Sequence, residues 1–249
     1  MVSGEAVEEA VSLARATPTL AVGLHLVVIN GRASLPPSKV PHLVDSRGFF
    51  RTDPLDAGVR YFFSKTAQKE LGRELRAQFD RFASTDLPLA HVNGHLHMHM
   101  HPTVFNLMLP LAQEYGASGI RLPRDDLRSA LAFDRRQSAS KITQAIIFGL
   151  IDRWASSRLR HYSLVTTDRV YGLMQTGQMK EEYVLGLLRR CQPATAELYF
   201  HPTTAATAEP LGPNPGDLAT LLSPALRQAV QQEGIRLVTY PALAKEKKC

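Results

Sequence analysis

At 249 residues, with 44% hydrophobic and 21% charged, the chain has the composition of a soluble folded protein with enough apolar surface for a sizeable core. Its formal charge of +6 is spread along the sequence apart from Lys245, Lys247 and Lys248, and no recognisable motif accompanies it, which argues against nucleic acid as a partner. Cys191 and Cys249 are the only cysteines and support neither a disulfide framework nor a thiolate metal site.

No apolar run reaches the ~20 residues that a membrane-spanning helix needs. The first nine residues are acidic where a signal peptide is basic, so a cytoplasmic location is expected. The length suits one (β/α) domain covering residues 1–249 or two smaller ones.

In chain order, Ala6, Val7, Ala10, Val11, Leu13 and Ala14 recur at helical spacing over residues 5–16, and Pro18 ends that helix. Residues 20–29 form a nearly continuous apolar run, the pattern of a strand buried on both faces, with His25 inside it. Residues 31–62 read as a long loop bearing Pro and Gly. Residues 66–84 read as an amphipathic helix with Leu71, Leu75, Phe79 and Phe82 on one stripe.

A strand is expected over 87–100, a helix over 103–115 stopped by Gly116, and a short strand over 119–122. Further expected elements are a helix at 141–156, a strand at 162–166, a helix at 179–190 and a strand at 196–200. A helix at 221–233, stopped by Gly234, and a last strand at 235–240 close the series. Strands alternating with helices imply βα units and a mostly parallel sheet, with the active site at the carboxyl ends of the strands.

Five of the nine histidines, His91, His95, His97, His99 and His101, fall at odd positions in one run. On a strand they would all project to one face, the convergence a metal site needs. Alternate residues lie about 6.6 Å apart, so a single ion reaches one or two of them. A structural histidine run is the alternative reading. His25, between Leu24 and Leu26, needs a polar partner if it is buried, and a shared metal would supply one.

Three blocks carry a specific resemblance: residues 23–26 (Gly-Leu-His-Leu), residues 91–99 (His-Val-Asn-Gly-His-Leu-His-Met-His) and residues 197–202 (Glu-Leu-Tyr-Phe-His-Pro). In order and spacing the chain resembles the YdjC-like carbohydrate deacetylases from Met1 to about Pro241. The wording of residues 91–103 and 167–173 is most similar to the branch associated with hopanoid biosynthesis. The resemblance implies a distorted (β/α) barrel with one divalent metal ion, magnesium or zinc, held by an aspartate and two histidines. Those histidines fall on His25 and His95, and His201 falls on a late histidine that acts as general acid or orients the reacting groups.

The implied substrate is an N-acetylated amino sugar, in the nearest branch one carried on a hopanoid lipid, and the chain could act as a homodimer. Arg121 and Asp168, after strand ends, are candidates for substrate contact. A metal with open positions polarises an amide carbonyl and acidifies bound water, while protein groups move the protons.

The family opens with a strand ending in Asp-Asp-Phe-Gly, which supplies the base and one metal ligand. Met1-Val2-Ser3-Gly4 aligns with the family's second strand end, so the expectation is a barrel without its first strand and helix. Asn93 stands where many relatives have aspartate and is a poor base, and Asp125, Asp126 and Asp168 are expected as solvated loop carboxylates. The alternatives are a different metal-dependent amidohydrolase or phosphoesterase, or a chain that binds metal without catalysis, an inactive remnant or the product of a mis-assigned start.

Overall fold

The computed structural model describes residues 1–190, 193–204 and 214–247, so Cys191, Lys248 and Cys249 lie outside the described residues. The chain is a mixed α/β protein that divides into two compact units: Met1–Arg121 with Trp154–Thr166 and Thr239–Cys249, and Leu122–Arg153 with Thr167–Val238.

The first unit is built on a parallel sheet in the order β1-β2-β3, with β1 Leu24–Leu26, β2 His91–Gly94 and β3 Gly119–Ile120. Its register sets Leu24, His25 and Leu26 opposite Val92, Asn93 and Gly94, and His91 and Val92 opposite Gly119 and Ile120. Leu24, Leu26, Val92 and Ile120 are buried, as an apolar run in a parallel sheet requires. The strand expected at 162–166 is reduced to one parallel bridge between Val165 and Gly119.

Helix α1 spans Val7–Ala16. The expected loop at 31–62 instead contains a 3-10 turn, Pro37–Lys39, and a helix, α2, Pro54–Phe63. Asp53 caps α2 by accepting from the amides of Leu55 and Asp56, and Pro54 sits where its missing N–H costs nothing. Helix α3, Lys65–Ala83, buries the expected stripe of Leu71, Leu75, Phe79 and Phe82.

It also buries a second, polar stripe at i, i+4 and i+8. Gln78 pairs its amide with both the N–H and the C=O of Val27, at 2.9 and 2.7 Å, and donates to Glu74 at 2.9 Å. Glu74 accepts from the amides of Ser34 and Leu35, and Glu70 from the amide and ring of His42. These side chains take the main-chain groups that the apolar run beyond Leu26 would otherwise offer to a neighbouring strand, so β1 stops after three residues.

Helix α4, Pro102–Glu114, ends as expected at Gly116, whose φ of 73° is readily adopted only by glycine. The last expected strand does not form. Helix α10, Tyr240–Glu246, begins there instead, with Thr239 capping the Ala242 amide and Pro241 in the first turn.

The second unit has a two-stranded parallel sheet, β4 Arg169–Tyr171 with β5 Ala196–Leu198. Its helices are α5 Leu127–Phe133, α6 Ser138–Leu159 up to Arg153, α7 Glu181–Arg190, α8 Pro215–Leu222 and α9 Pro224–Gln232. Tyr171, Met179, Tyr183, Val184 and Leu187 form its core, with Phe133, Leu198 and Leu226 packed on it. The single helix expected at 221–233 is two, because Pro224 cannot donate within a helix and Ser223 caps the new start at Leu226.

Candidate functional site

The five clustered histidines do not share a face. Strand β2 ends at Gly94, and His95–Met100 forms a 3-10 segment in which Leu96 and His97 take φ of 49° and 56°. That region is uncommon for residues with a Cβ and costs of order 1 kcal/mol or more each. The alternation that would aim all five rings at one volume therefore stops before it starts.

Each ring goes to its own place. His91 stacks on Tyr240 at 4.9 Å between ring centres, and His101 meets Tyr61 and Phe62 edge-on. His99 is fully buried, and its Nε2 lies 2.9 Å from the Arg121 carbonyl, to which it donates. Gly94 makes the sharp turn possible, since a Cβ there would stand 2.9 Å from His99 Cβ and 3.1 Å from the His99 amide nitrogen.

His95, the first residue of the turn, faces His25, the middle residue of the adjacent strand. Their ring centres are 5.8 Å apart with planes at 71°. Burial pushes the His25 imidazole down to about 3, so it is neutral over the ordinary pH range. Asn93, its partner across the two strands, bonds His25 Nδ1 at 2.7 Å. The guanidinium of Arg121 approaches the other end of the same amide, with both terminal nitrogens at 3.2 Å. The backbone of Arg121 is held by its N–H on Val92 at 3.1 Å and by His99 on its carbonyl.

Of the five residues singled out from the sequence, His25, His95 and Arg121 thus gather in the first unit. His201 and Asp168 belong to the second. The exposed His201 lies just past β5, its N–H donating to Asp217 at 2.9 Å and its carbonyl accepting from Asn214 at 3.2 Å, with its ring edge-on to Tyr199. Asp217 is buried and also accepts from the Met179 amide at 3.1 Å.

One oxygen of Asp168 accepts from the amide and hydroxyl of Thr195, at 2.9 and 2.8 Å. Asp125 is not the solvated carboxylate expected of a loop. It accepts from the amides of Asp126, Gly172 and Met174, and burial raises its pKa. Asp126 caps α5 through Ser129.

Sequence reasoning singled out His99 only as one of the clustered histidines, and it missed Asp217 and Asn214 as positioning residues. Their work is on the main chain of the residues they hold, and no spacing reveals it.

Two imidazoles bound to one ion at about 2.1 Å per nitrogen have ring centres roughly 5 Å apart, near the 5.8 Å between the rings of His25 and His95. The pair fits a divalent ion as two of its ligands. Among the described residues no group of three His, Cys, Asp or Glu converges on one volume.

Comparison with known proteins gives this geometry a context. The model of the family described as YdjC-like protein matches residues 1–232. The chain belongs to the YdjC-like family. Among relatives of this YdjC-like chain, a protein of Geobacillus stearothermophilus named carbohydrate deacetylase is 29% identical over 96% of the chain and 83% of its own length. A Serratia marcescens protein named chitooligosaccharide deacetylase is 27% identical over 98% and 86%.

A carbohydrate deacetylase of Brevibacillus brevis is 43% identical, but over 46% of the chain and 43% of its own length. A crystal structure from Enterococcus faecalis V583, described as a candidate cellobiose-phosphate cleavage protein, superposes with a TM-score of 0.73. It covers 98% of this chain and 85% of its own at 22% identity, a likeness of fold alone. No helix among the described residues is long and apolar enough to cross a membrane.

Proposed function

We infer that the chain is a carbohydrate N-deacetylase, a hydrolase that removes the acetyl group from an N-acetylated amino sugar. One observation carries the reading: in a chain of the YdjC-like family, whose relatives include proteins named carbohydrate deacetylase, His25, one residue before the end of β1, faces His95, just past the end of the adjacent parallel strand β2. The carboxyl end of a parallel sheet is where α/β folds do chemistry.

On this reading His25 and His95 hold one divalent cation, magnesium or zinc. Bound there, it would polarise the acetamide carbonyl and acidify a water molecule. Asn93 orients the His25 ring by its bond to Nδ1, and Arg121 supplies donors for sugar oxygens. In the second unit His201, the residue that the resemblance offers as general acid, has a main chain steadied by Asp217 and Asn214. The wording of residues 91–103 and 167–173 supports, at finer grain, a sugar carried on a hopanoid lipid.

The test is acetate release from chitooligosaccharides and from an N-acetylglucosaminyl lipid, with His25→Ala, His95→Ala and His201→Ala beside the unsubstituted chain. Release that falls at least 100-fold in each variant supports the assignment, since a positioned acid or base alone contributes 10²- to 10⁴-fold. Release equal in all four proteins would overturn it.

A further inference from the structure

Helix α2 is apolar on both sides. Toward the protein it buries Ala57 and Tyr61, and the Tyr61 hydroxyl donates to the Val28 carbonyl at 2.5 Å. Gly58 backs on the ring of His101, and the Gln68 amide donates to the carbonyls of Tyr61 and Phe62 at 3.1 and 2.7 Å. One face of the helix is therefore committed to the fold.

The opposite face carries Leu55, Val59, Phe62 and Phe63, which are 80, 60, 53 and 74% exposed. Spaced i, i+4, i+7 and i+8, they form one stripe about 100° wide. Phe62 and Phe63 meet edge-on with ring centres 5.0 Å apart. Single exposed hydrophobes need no explanation, but a contiguous stripe of four large ones marks a contact surface.

Charge decides what the stripe contacts. From Arg47 to Arg73 six basic residues stand against three acidic ones, and each acid is already engaged. Asp53 caps α2, Asp56 pairs with Arg51 at 2.6 Å, and the buried Glu70 holds His42. Lys65 opens α3 directly after the stripe and Lys69 follows one turn on, both exposed. Neither enters an ion pair among the described residues. An apolar stripe with cations alongside is complementary to a surface that is apolar within and anionic outside, as a bilayer of acidic lipids is. A two-fold pairing of this chain through α2 would instead bring the lysines of each copy toward those of the other.

We propose that α2 is a membrane-docking element: Leu55, Val59, Phe62 and Phe63 enter the headgroup region of an anionic bilayer, and Lys65 and Lys69 meet its phosphates. The helix lies on the membrane and does not span it. The chain's formal charge of +6 attracts it to the same surface. Nothing in this depends on the deacetylase reading, and binding is measured without turnover.

The test is co-sedimentation of the full chain with vesicles of phosphatidylcholine alone and of equimolar phosphatidylcholine and phosphatidylglycerol. Binding is expected on the mixed vesicles, weaker on phosphatidylcholine, and falling as salt is raised. Phe62→Ser with Phe63→Ser should weaken it at least about tenfold on the mixed vesicles, since two aromatic side chains lose their burial. Lys65→Gln with Lys69→Gln should weaken it on the order of tenfold on the mixed vesicles and hardly at all on phosphatidylcholine. All four sites are exposed, so urea midpoints should stay unchanged and the losses report contact, not unfolding.

Absence of binding to the mixed vesicles by the unsubstituted chain overturns the proposal, as does binding that the phenylalanine variant leaves unchanged. A dimer in sedimentation velocity that the same variant separates overturns it as well, because a second copy would then cover the stripe. Each of these results leaves the deacetylase reading standing.

Discussion

In the first unit a single helix grips the main chain with three side chains: Glu70, Glu74 and Gln78 of α3 hold Val27, Ser34, Leu35 and His42. In the second, isolated aspartates do comparable work: Asp217 holds Met179 and His201, and Asp125 holds Gly172 and Met174. Both arrangements satisfy backbone amides of irregular segments that no strand or helix pairs. They differ in how the load is shared. The rungs on α3 stand one turn apart, and Gln78 also bonds Glu74, so those two rungs brace each other. Among the described residues Asp217 bonds no side chain of its own short helix, and both amides depend on one carboxylate.

That difference predicts where a single substitution hurts most. Asp217→Ala leaves the amides of Met179 and His201 without their acceptor beside a buried core, and is expected to cost about 2–4 kcal/mol in urea unfolding. On the role proposed for His201 it should also lower deacetylase turnover, because His201 loses one of its two backbone anchors. A loss under about 1 kcal/mol would show that the second unit is braced as well as the first.

Gln78→Leu tests the ladder. It fills similar space but abandons both main-chain bonds to Val27, and a cost of about 1–3 kcal/mol is expected, less than for Asp217 because Glu74 keeps its grip on Ser34 and Leu35. Hydrogen exchange should quicken at Val27 and hardly change at Leu35. Equal quickening at both would mean that the rungs fail together.

Acid sharpens the contrast at the site itself. Burial holds His25 down to about 3, against an unfolded value near 6.5, so the unfolded chain binds the extra proton between those limits. Stability contributed by neutral His25 is present above pH 6.5 and is lost as the pH falls from there toward 3, by at most about 1.4 kcal/mol per pH unit. Burial shifts His101 in the same direction. In cation-free protein, His25→Phe should flatten the slope of unfolding free energy against pH in that window. An unchanged slope would mean that His25 is solvated.

Much of this was legible in advance. Repeating apolar residues located α1, α3, α4, α6 and α7, and the apolar run around His25 located β1. Local capping chemistry was present but unread at Asp53-Pro54 and Thr239-Tyr240-Pro241, which start α2 and α10. The end of β2 was not legible at all, because Leu96 and His97 take a left-handed backbone that neither residue type favours. Nor were the buried acids: Glu74 meets its amides 39 and 40 residues away, and Asp217 meets Met179 at 38. An acid at a buried helical position looks like an error until its distant partner is known.

The smallest effect expected is at the outer rung. Glu70 is buried, but its partner His42 has a side chain 50% exposed, so water can replace what the carboxylate gives. In Glu70→Gln the amide oxygen can still accept from the His42 N–H, and the NH2 group can donate to Nδ1 once the ring moves its proton to Nε2. Both contacts survive, the ring contact with its roles exchanged, and the cost should stay under about 1 kcal/mol. Comparing Glu70→Gln, Gln78→Leu and the double variant then reports whether the ladder transmits along α3. The two rungs lie eight residues apart with Glu74 between them, bonded to Gln78, so additive losses would make Glu74 an independent clasp. A combined loss larger than the sum would show that Glu74 needs a neighbour on at least one side to stay in place.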